Sequence, residues 1–188
     1  MRTETERVHR TLKDLLQFAR PQRDGASAGP TSGDVEAAIH DTAALVVHQP
    51  SLQKLELHID VEPALERVTL ATEQLAQVVL NLILNAADAL SARGSGRIAV
   101  FARRATDGVE ISVEDDGPGV PAEVAEHIFE PFFTTKEVGK GTGLGLSVCQ
   151  GLISAAGGTL ALDGRHTTGA RFVVLLPSCE QTAGGSTS

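Results

Sequence analysis

Asp115, Gly117 and Gly119 stand together in the run DDGPG. Lys136, Lys140, Gly141, Thr142, Gly143, Leu144 and Gly145 follow in FFTTKEVGKGTGLGLS. A carboxylate, two glycine clusters and two lysines thus share one short stretch. Glycine lets a backbone approach a ligand closely and adopt positive φ. The second cluster leads straight into an apolar helical pattern, Leu144 to Ala156. A glycine-rich loop that opens a helix cradles phosphate, because free N–H groups and the helix dipole point at the anion. The lysines bring charge that matches it. This chemistry is nucleotide binding.

Asp115 closes an alternating, strand-like segment. A carboxylate there accepts a hydrogen bond from the exocyclic amine of adenine and repels the carbonyl of guanine. Its bland alternative is a turn aspartate at a Gly-Pro-Gly bend, and for the two lysines it is solvated loop charge. A second polar group lies upstream, in VVLNLILNAADAL (residues 78–90). This helical run is apolar but for Asn81, Asn85 and Asp88. Asn and Asp are poor mid-helix residues. At about 100° per residue the three fall within roughly 60° of one another, as one stripe. Buried polar groups need partners. The stripe either finds them inside the protein or faces a wet, ligand-holding cavity. An amide oxygen such as that of Asn85 suits Mg²⁺, a hard cation that prefers oxygen.

These residues need a scaffold. Residues 1–20 read as an amphipathic helix, with Val8, Leu12, Leu15, Leu16 and Ala19 on one face and Pro21 ending it. Residues 22–33 form a Gly/Ser/Pro/Ala linker. Asp34 caps a helix to about residue 49. Strands are expected over 54–60 and 68–70, and Thr72 is expected to cap a long helix reaching Arg93. Residues 97–104 and 109–114 form a hairpin. Pro121 suits the first turn of a short helix. A helix over 143–156 stops at Gly157-Gly158, and 159–163 with 170–176 closes the fold as a second hairpin. The tail, 178–188, is polar and expected to be disordered. The class is α+β, a two-layer sandwich with helices on one face of a mixed sheet.

Length and composition agree with one globular domain: 188 residues, 41% hydrophobic and 21% charged. A net charge of −8 argues against nucleic acid as a partner, since that needs a basic face. No run is long enough for a membrane span and no signal peptide is visible. The expected location is cytoplasmic, alone or as the cytosolic part of a longer protein. Cys149 and Cys179 make no disulfide framework, and Cys149 reads as a small buried hydrophobe. Phe129, Phe132 and Phe133 crowd into one loop, which suggests that the loop docks onto something.

Taken in order, these blocks resemble the catalytic ATP-binding domain of sensor histidine kinases, in the GHKL superfamily shared with gyrase, Hsp90 and MutL. Asn81 to Asn85 matches the N box, Asp115 to Gly119 the first glycine box, Phe129 to Phe133 the F box and Gly139 to Gly145 the second glycine box. The wording around FFTTK looks most like the nitrogen-regulation type. The resemblance covers residues 34–177. It implies ATP held between the Asn helix and a lid, Mg²⁺ on Asn85, adenine on Asp115 and phosphates on the 139–145 backbone. Thr142 and Leu144 line the same cradle, and Asp88, Gly117, Gly119, Lys136 and Lys140 complete the ATP set. Asn81 and Lys136 are the expected catalytic residues. The lid, residues 130–142, is expected to be mobile until ATP orders it.

Residues 1–21 look like the second helix of the family's dimerisation and phosphoacceptor hairpin. The family's acceptor is a His followed by Glu or Asp, with Asn or Thr four residues after the His. None of the six histidines fits. His9 is followed by Arg10. The implied function is phosphoryl donation from ATP to a histidine on another segment or chain. The implied partners are that hairpin and a response regulator receiver domain, and a lone hairpin helix leaves any homodimer weak. Three alternatives stand beside this one. A hydrolytic ATPase of the gyrase or Hsp90 kind carries Glu where this chain has Asn81, and an amide cannot take a proton from water. A Ser/Thr kinase of the anti-sigma-factor kind does not account for the three phenylalanines. A nucleotide-binding module without turnover needs no phosphoacceptor.

Overall fold

The computed structural model describes residues 32–49, 51–136 and 141–179. The expected helix over residues 1–20, most of the linker, Lys140 and the tail from residue 180 lie outside the described residues.

Among the described residues nine elements follow in order: α1 (Val35–Val46), β1 (Leu55–Val61), α2 (Thr72–Leu90), β2 (Gly96–Ala105), β3 (Gly108–Asp115), α3 (Ala122–Ala125), α4 (Gly145–Ala155), β4 (Thr159–Leu162) and β5 (Arg171–Pro177). The sheet order is β1-β2-β3-β5-β4. Only β1 and β2 run parallel, as α2 carries the chain between them. β2 and β3 form the expected hairpin, with Ala105 opposite Gly108. β5 then inserts between β3 and the edge strand β4. The sheet is mixed, with α1, α2 and α4 stacked on one layer, as the α+β reading anticipates.

Alternation explains the layers. Ile98, Val100, Ala102, Ile111, Val113, Phe172, Val174 and Leu176 are buried between the sheet and the helices. From α2 they meet Leu75, Val78, Val79, Leu82, Ile83, Ala86 and Leu90. Burial of each such Leu, Ile or Val contributes about 1.5–3 kcal/mol. The opposite sheet face carries charge. There Arg171 pairs with Glu110, Glu114 and Asp163, while Arg103 lies over Phe101 and pairs with Asp60.

Local boundaries shift for identifiable reasons. Asp34 caps α1, its carboxylate accepting from Ala37 N–H at 2.9 Å. Thr72 does not cap α2. It is the first helical residue, and its hydroxyl accepts instead from Asp34 N–H at 3.0 Å, joining the starts of two helices. Pro121 sits at the cap of α3 rather than inside it. α4 starts at Gly145, because Gly143 has φ +67° and cannot be helical. The expected strand over 68–70 is reduced to isolated bridges from Val68 to Gly33 and to Ser178. Ordered pairing therefore reaches Gly33 on one side and Ser178 on the other, just beyond the expected limits of 34 and 177.

Candidate functional site

The register of β3 and β5 positions Asp115. Glu114 pairs with Arg171, so the end of β3 lies beside the start of β5, and Asp115 N–H donates to Ala170 C=O at 2.9 Å. The carboxylate is buried, only 6% exposed. Its Oδ1 accepts from Gly117 N–H at 2.9 Å and from Ala170 N–H at 3.3 Å. Burial raises its pKa above the ordinary carboxylate value, against those two N–H groups and the nearby His166, which lower it. Among the described residues only Oδ1 accepts hydrogen bonds from the protein, which leaves Oδ2 as an acceptor for a ligand amine.

Close backbone approach accounts for three glycines here. A Cβ on Gly117 would lie 2.8 Å from Asp115 Oδ1. Gly119 has φ +75° and faces the carbonyl of Gly169. A Cβ on Gly169 would lie 1.9 Å from the Asp115 carbonyl oxygen. Gly169 belongs to the β4–β5 connection and was not among the expected site residues. In the sequence it is an ordinary hairpin glycine, and only strand register brings it to Asp115. Asp116 pins the same turn, accepting from Arg97 N–H at 2.8 Å and pairing with Arg93 at 2.7 Å. Those contacts hold its carboxyl below the usual range. Residues 116–121 and 166–169 together line an open cleft of about 560 Å³.

The polar stripe of α2 is real and divides in two. Asn81 Nδ2 donates to Cys149 Sγ at 3.5 Å. Cys149 is fully buried, and burial pushes its thiol up to about 11, so it is the inert residue that the sequence suggests. The amide of Asn81 is thus at least partly satisfied inside the protein. Asn85 and Asp88 instead turn to the lid, where Lys136 Nζ lies 3.3 Å from Asn85 Oδ1 and 2.5 Å from Asp88 Oδ2.

The second glycine cluster meets the stripe at the start of α4. A Cβ on Gly145 would come within 4.0 Å of Asn81 Cγ. Leu144 at the N-cap of α4 makes no side-chain cap, and an uncapped first turn suits an anion. Leu144 is 1% exposed, so its side chain belongs to the core and its backbone alone can serve the cradle. Thr142 Oγ1 lies 3.4 Å from Leu144 N. Gly141 packs against the stem of Lys136. Lys140 lies outside the described residues.

The F box divides as well. Phe129 packs edge-on against Phe172, and Phe133 lies against His127. Phe132 has φ +68° and its side chain is 64% exposed, the one exposed phenylalanine among the described residues. No described helix is long and apolar enough to cross a membrane.

The sequence and fold match known proteins. Residues 71–180 match the family described as histidine kinase-, DNA gyrase B- and HSP90-like ATPase. The chain is 34% identical over 177 residues to the sensor histidine kinase ZraS of Escherichia coli O157:H7, covering 94% of this chain and 37% of that one. It therefore spans little more than a third of that relative. Full-length ShkA in complex with AMPPNP superposes with a TM-score of 0.73 at 27% identity, covering 90% of this chain and 36% of ShkA. Histidine kinase ThkA in complex with the response regulator protein TrrA gives 0.71 at 26% identity, covering 94% and 48%. The chain belongs to the histidine kinase-, DNA gyrase B- and HSP90-like ATPase family and is the ATP-binding catalytic domain of the sensor histidine kinase type.

Proposed function

We propose that this domain binds MgATP between α2 and the residue 129–145 segment and donates the γ-phosphoryl group to a histidine on a separate helical hairpin. One observation carries the reading. A buried carboxylate with an open acceptor, a cation-holding oxygen pair and an uncapped helix start surround one helix, α2. Asp115 accepts from the adenine amine. The 141–145 backbone and the first turn of α4 take the phosphates. Lys136 carries charge to them.

The oxygen donors fit a metal ion, because Asn85 Oδ1 and Asp88 Oδ2 already converge on a cation. Asn85 would hold Mg²⁺, which when bound neutralises phosphate charge. The protein's own part is positioning: holding the adenine, excluding water and aligning the phosphates for in-line attack. Phe132 offers the docking surface for the hairpin. A receiver domain then takes the phosphoryl group, as the ThkA–TrrA likeness suggests.

Incubating the domain with [γ-³²P]ATP and a purified phosphoacceptor hairpin tests this. Acid-labile label on the hairpin is the expected result. Tight ATP binding with no transfer to any cognate hairpin would leave a nucleotide-binding module without turnover.

A further inference from the structure

Asn85 and Asp88 lie one helical turn apart on the same face of α2, and both reach one point. The Lys136 ammonium occupies that point, 2.5 Å from Asp88 Oδ2 and 3.3 Å from Asn85 Oδ1. Its placement is built into the chain. Lys136 N–H donates to Thr134 Oγ1 at 3.2 Å, a local turn at the base of the side chain. The stem then passes against Gly141, where a Cβ would lie 3.0 Å from Lys136 Cδ and 2.8 Å from Thr134 Oγ1. Glycine at 141 leaves room for the stem.

An amide oxygen and a carboxylate oxygen that converge on a cation are also hard donors of the kind a divalent metal takes. Two cations cannot sit on the same oxygen pair, since like charges in contact repel. We propose that Asn85 and Asp88 form one cation seat with two exclusive occupants, the Lys136 ammonium and a divalent metal, so that Asp88 sets metal affinity and a bound metal displaces Lys136. This rests on the reading that Asn85 holds the metal, and it adds Asp88 as the charged half of the seat. Asp88 is then a positioning residue for Lys136 when the metal is absent. With Lys136 displaced, its charge is available to phosphate.

Mn²⁺ alone is the probe, added to the nucleotide-free domain, with free Mn²⁺ read by electron paramagnetic resonance. Lys136→Met keeps the length of the stem and removes the rival charge. It should bind Mn²⁺ about two- to fivefold tighter than the parent, the range expected for relief of a half-exposed ion pair. A gain of this kind cannot come from misfolding. Asp88→Asn should bind Mn²⁺ about tenfold more weakly, and the double variant should bind no tighter than Asp88→Asn alone, because the two act through one seat. Unchanged affinity in Lys136→Met, or a gain that persists in the double variant, would overturn the shared seat. Asn85→Ala titrated with MnATP tests the underlying reading. Weakened MnATP binding there, with no gain in Lys136→Met, sinks the shared seat alone. Unchanged MnATP binding in Asn85→Ala sinks both.

Discussion

Phe132 and Gly143 hold each other in left-handed backbone conformations across the base of the lid. The N–H of Phe132 donates to the Gly143 carbonyl at 2.9 Å, with φ +68° and +67° respectively. A Cβ on Gly143 would lie 2.4 Å from the Phe132 carbonyl carbon. A non-glycine residue in this region costs about 1–3 kcal/mol and persists where the surroundings demand it. The backbone at Gly143, just ahead of α4, is thereby tied to the segment that carries the exposed Phe132 ring.

Gly143→Ala should break this tie. The added methyl meets backbone, which cannot swing aside, and alanine dislikes positive φ. ATP affinity is expected to fall at least tenfold, and the thermal midpoint should drop by a few degrees, since the strain falls beside the buried Leu144. Calorimetry and a melting curve on the same sample check both. Wild-type affinity in this variant would show that the Phe132–Gly143 contact is dispensable.

Asp115→Asn should lower ATP affinity roughly tenfold to a hundredfold, the loss of a bond to a charged group at about 1.5–3 kcal/mol. The folded-state pKa is raised, so the ionised carboxylate costs stability above that pKa, and the cost fades as pH falls through it. The variant should therefore melt higher than wild type at neutral pH, with the gap closing on acidification. Nucleoside affinity should fall on acidification while ordinary carboxylates are still ionised. Adenosine, which has no phosphate to titrate, isolates that effect. A pH-independent adenosine affinity would remove Asp115 from the adenine pocket.

Asn85→Ala should weaken MgATP more than metal-free ATP, with the ligand-free fold retained. Titrations with and without excess chelator compare the two. Equal losses in both would mean that Asn85 is structural.

Phe132→Ala and Phe129→Ala should part company. The exposed Phe132 is expected to leave ATP affinity unchanged and slow transfer to a separate hairpin about tenfold or more. Phe129 packs on Phe172, and its loss should cost about 2–4 kcal/mol of stability. Transfer rates and chemical denaturation tell them apart. A Phe132→Ala domain that phosphorylates the hairpin at the parent rate would move the docking surface elsewhere.

The 188-residue chain alone should bind ATP without labelling itself. In-line transfer needs an imidazole within about 3–3.5 Å of the phosphorus, and no histidine lies in a phosphoacceptor motif. Adding a hairpin in trans should give slow, concentration-dependent labelling, because tethering is lost. Acid-labile phosphate on the lone chain that vanishes in His9→Gln would make His9 the acceptor.

Much of this was legible in the sequence because it is local. Alternation in 97–114 marked the hairpin, and the Asn81–Asn85–Asp88 stripe marked the helix that carries the candidate site. Other features depend on long-range contact. Thr72 has the composition of a cap, but a backbone N–H 38 residues away takes its hydroxyl. Gly169 meets Asp115 only because β5 pairs with β3. Cys149 satisfies Asn81 across 68 residues, and Lys136 reaches Asp88 across 48. Periodicity carries no trace of such pairings.

Val68 receives the chain on both sides, bridged to Gly33 as it arrives and to Ser178 as it departs. Gly33 exchanges both backbone hydrogen bonds with Val68, Thr69 N–H donates to Pro177 and Cys179 N–H to Arg67. The domain is therefore suspended from a single attachment point. The closeness of Gly33 and Ser178 makes the described domain a natural cassette, one that can be spliced between other segments or re-opened elsewhere with those two points joined.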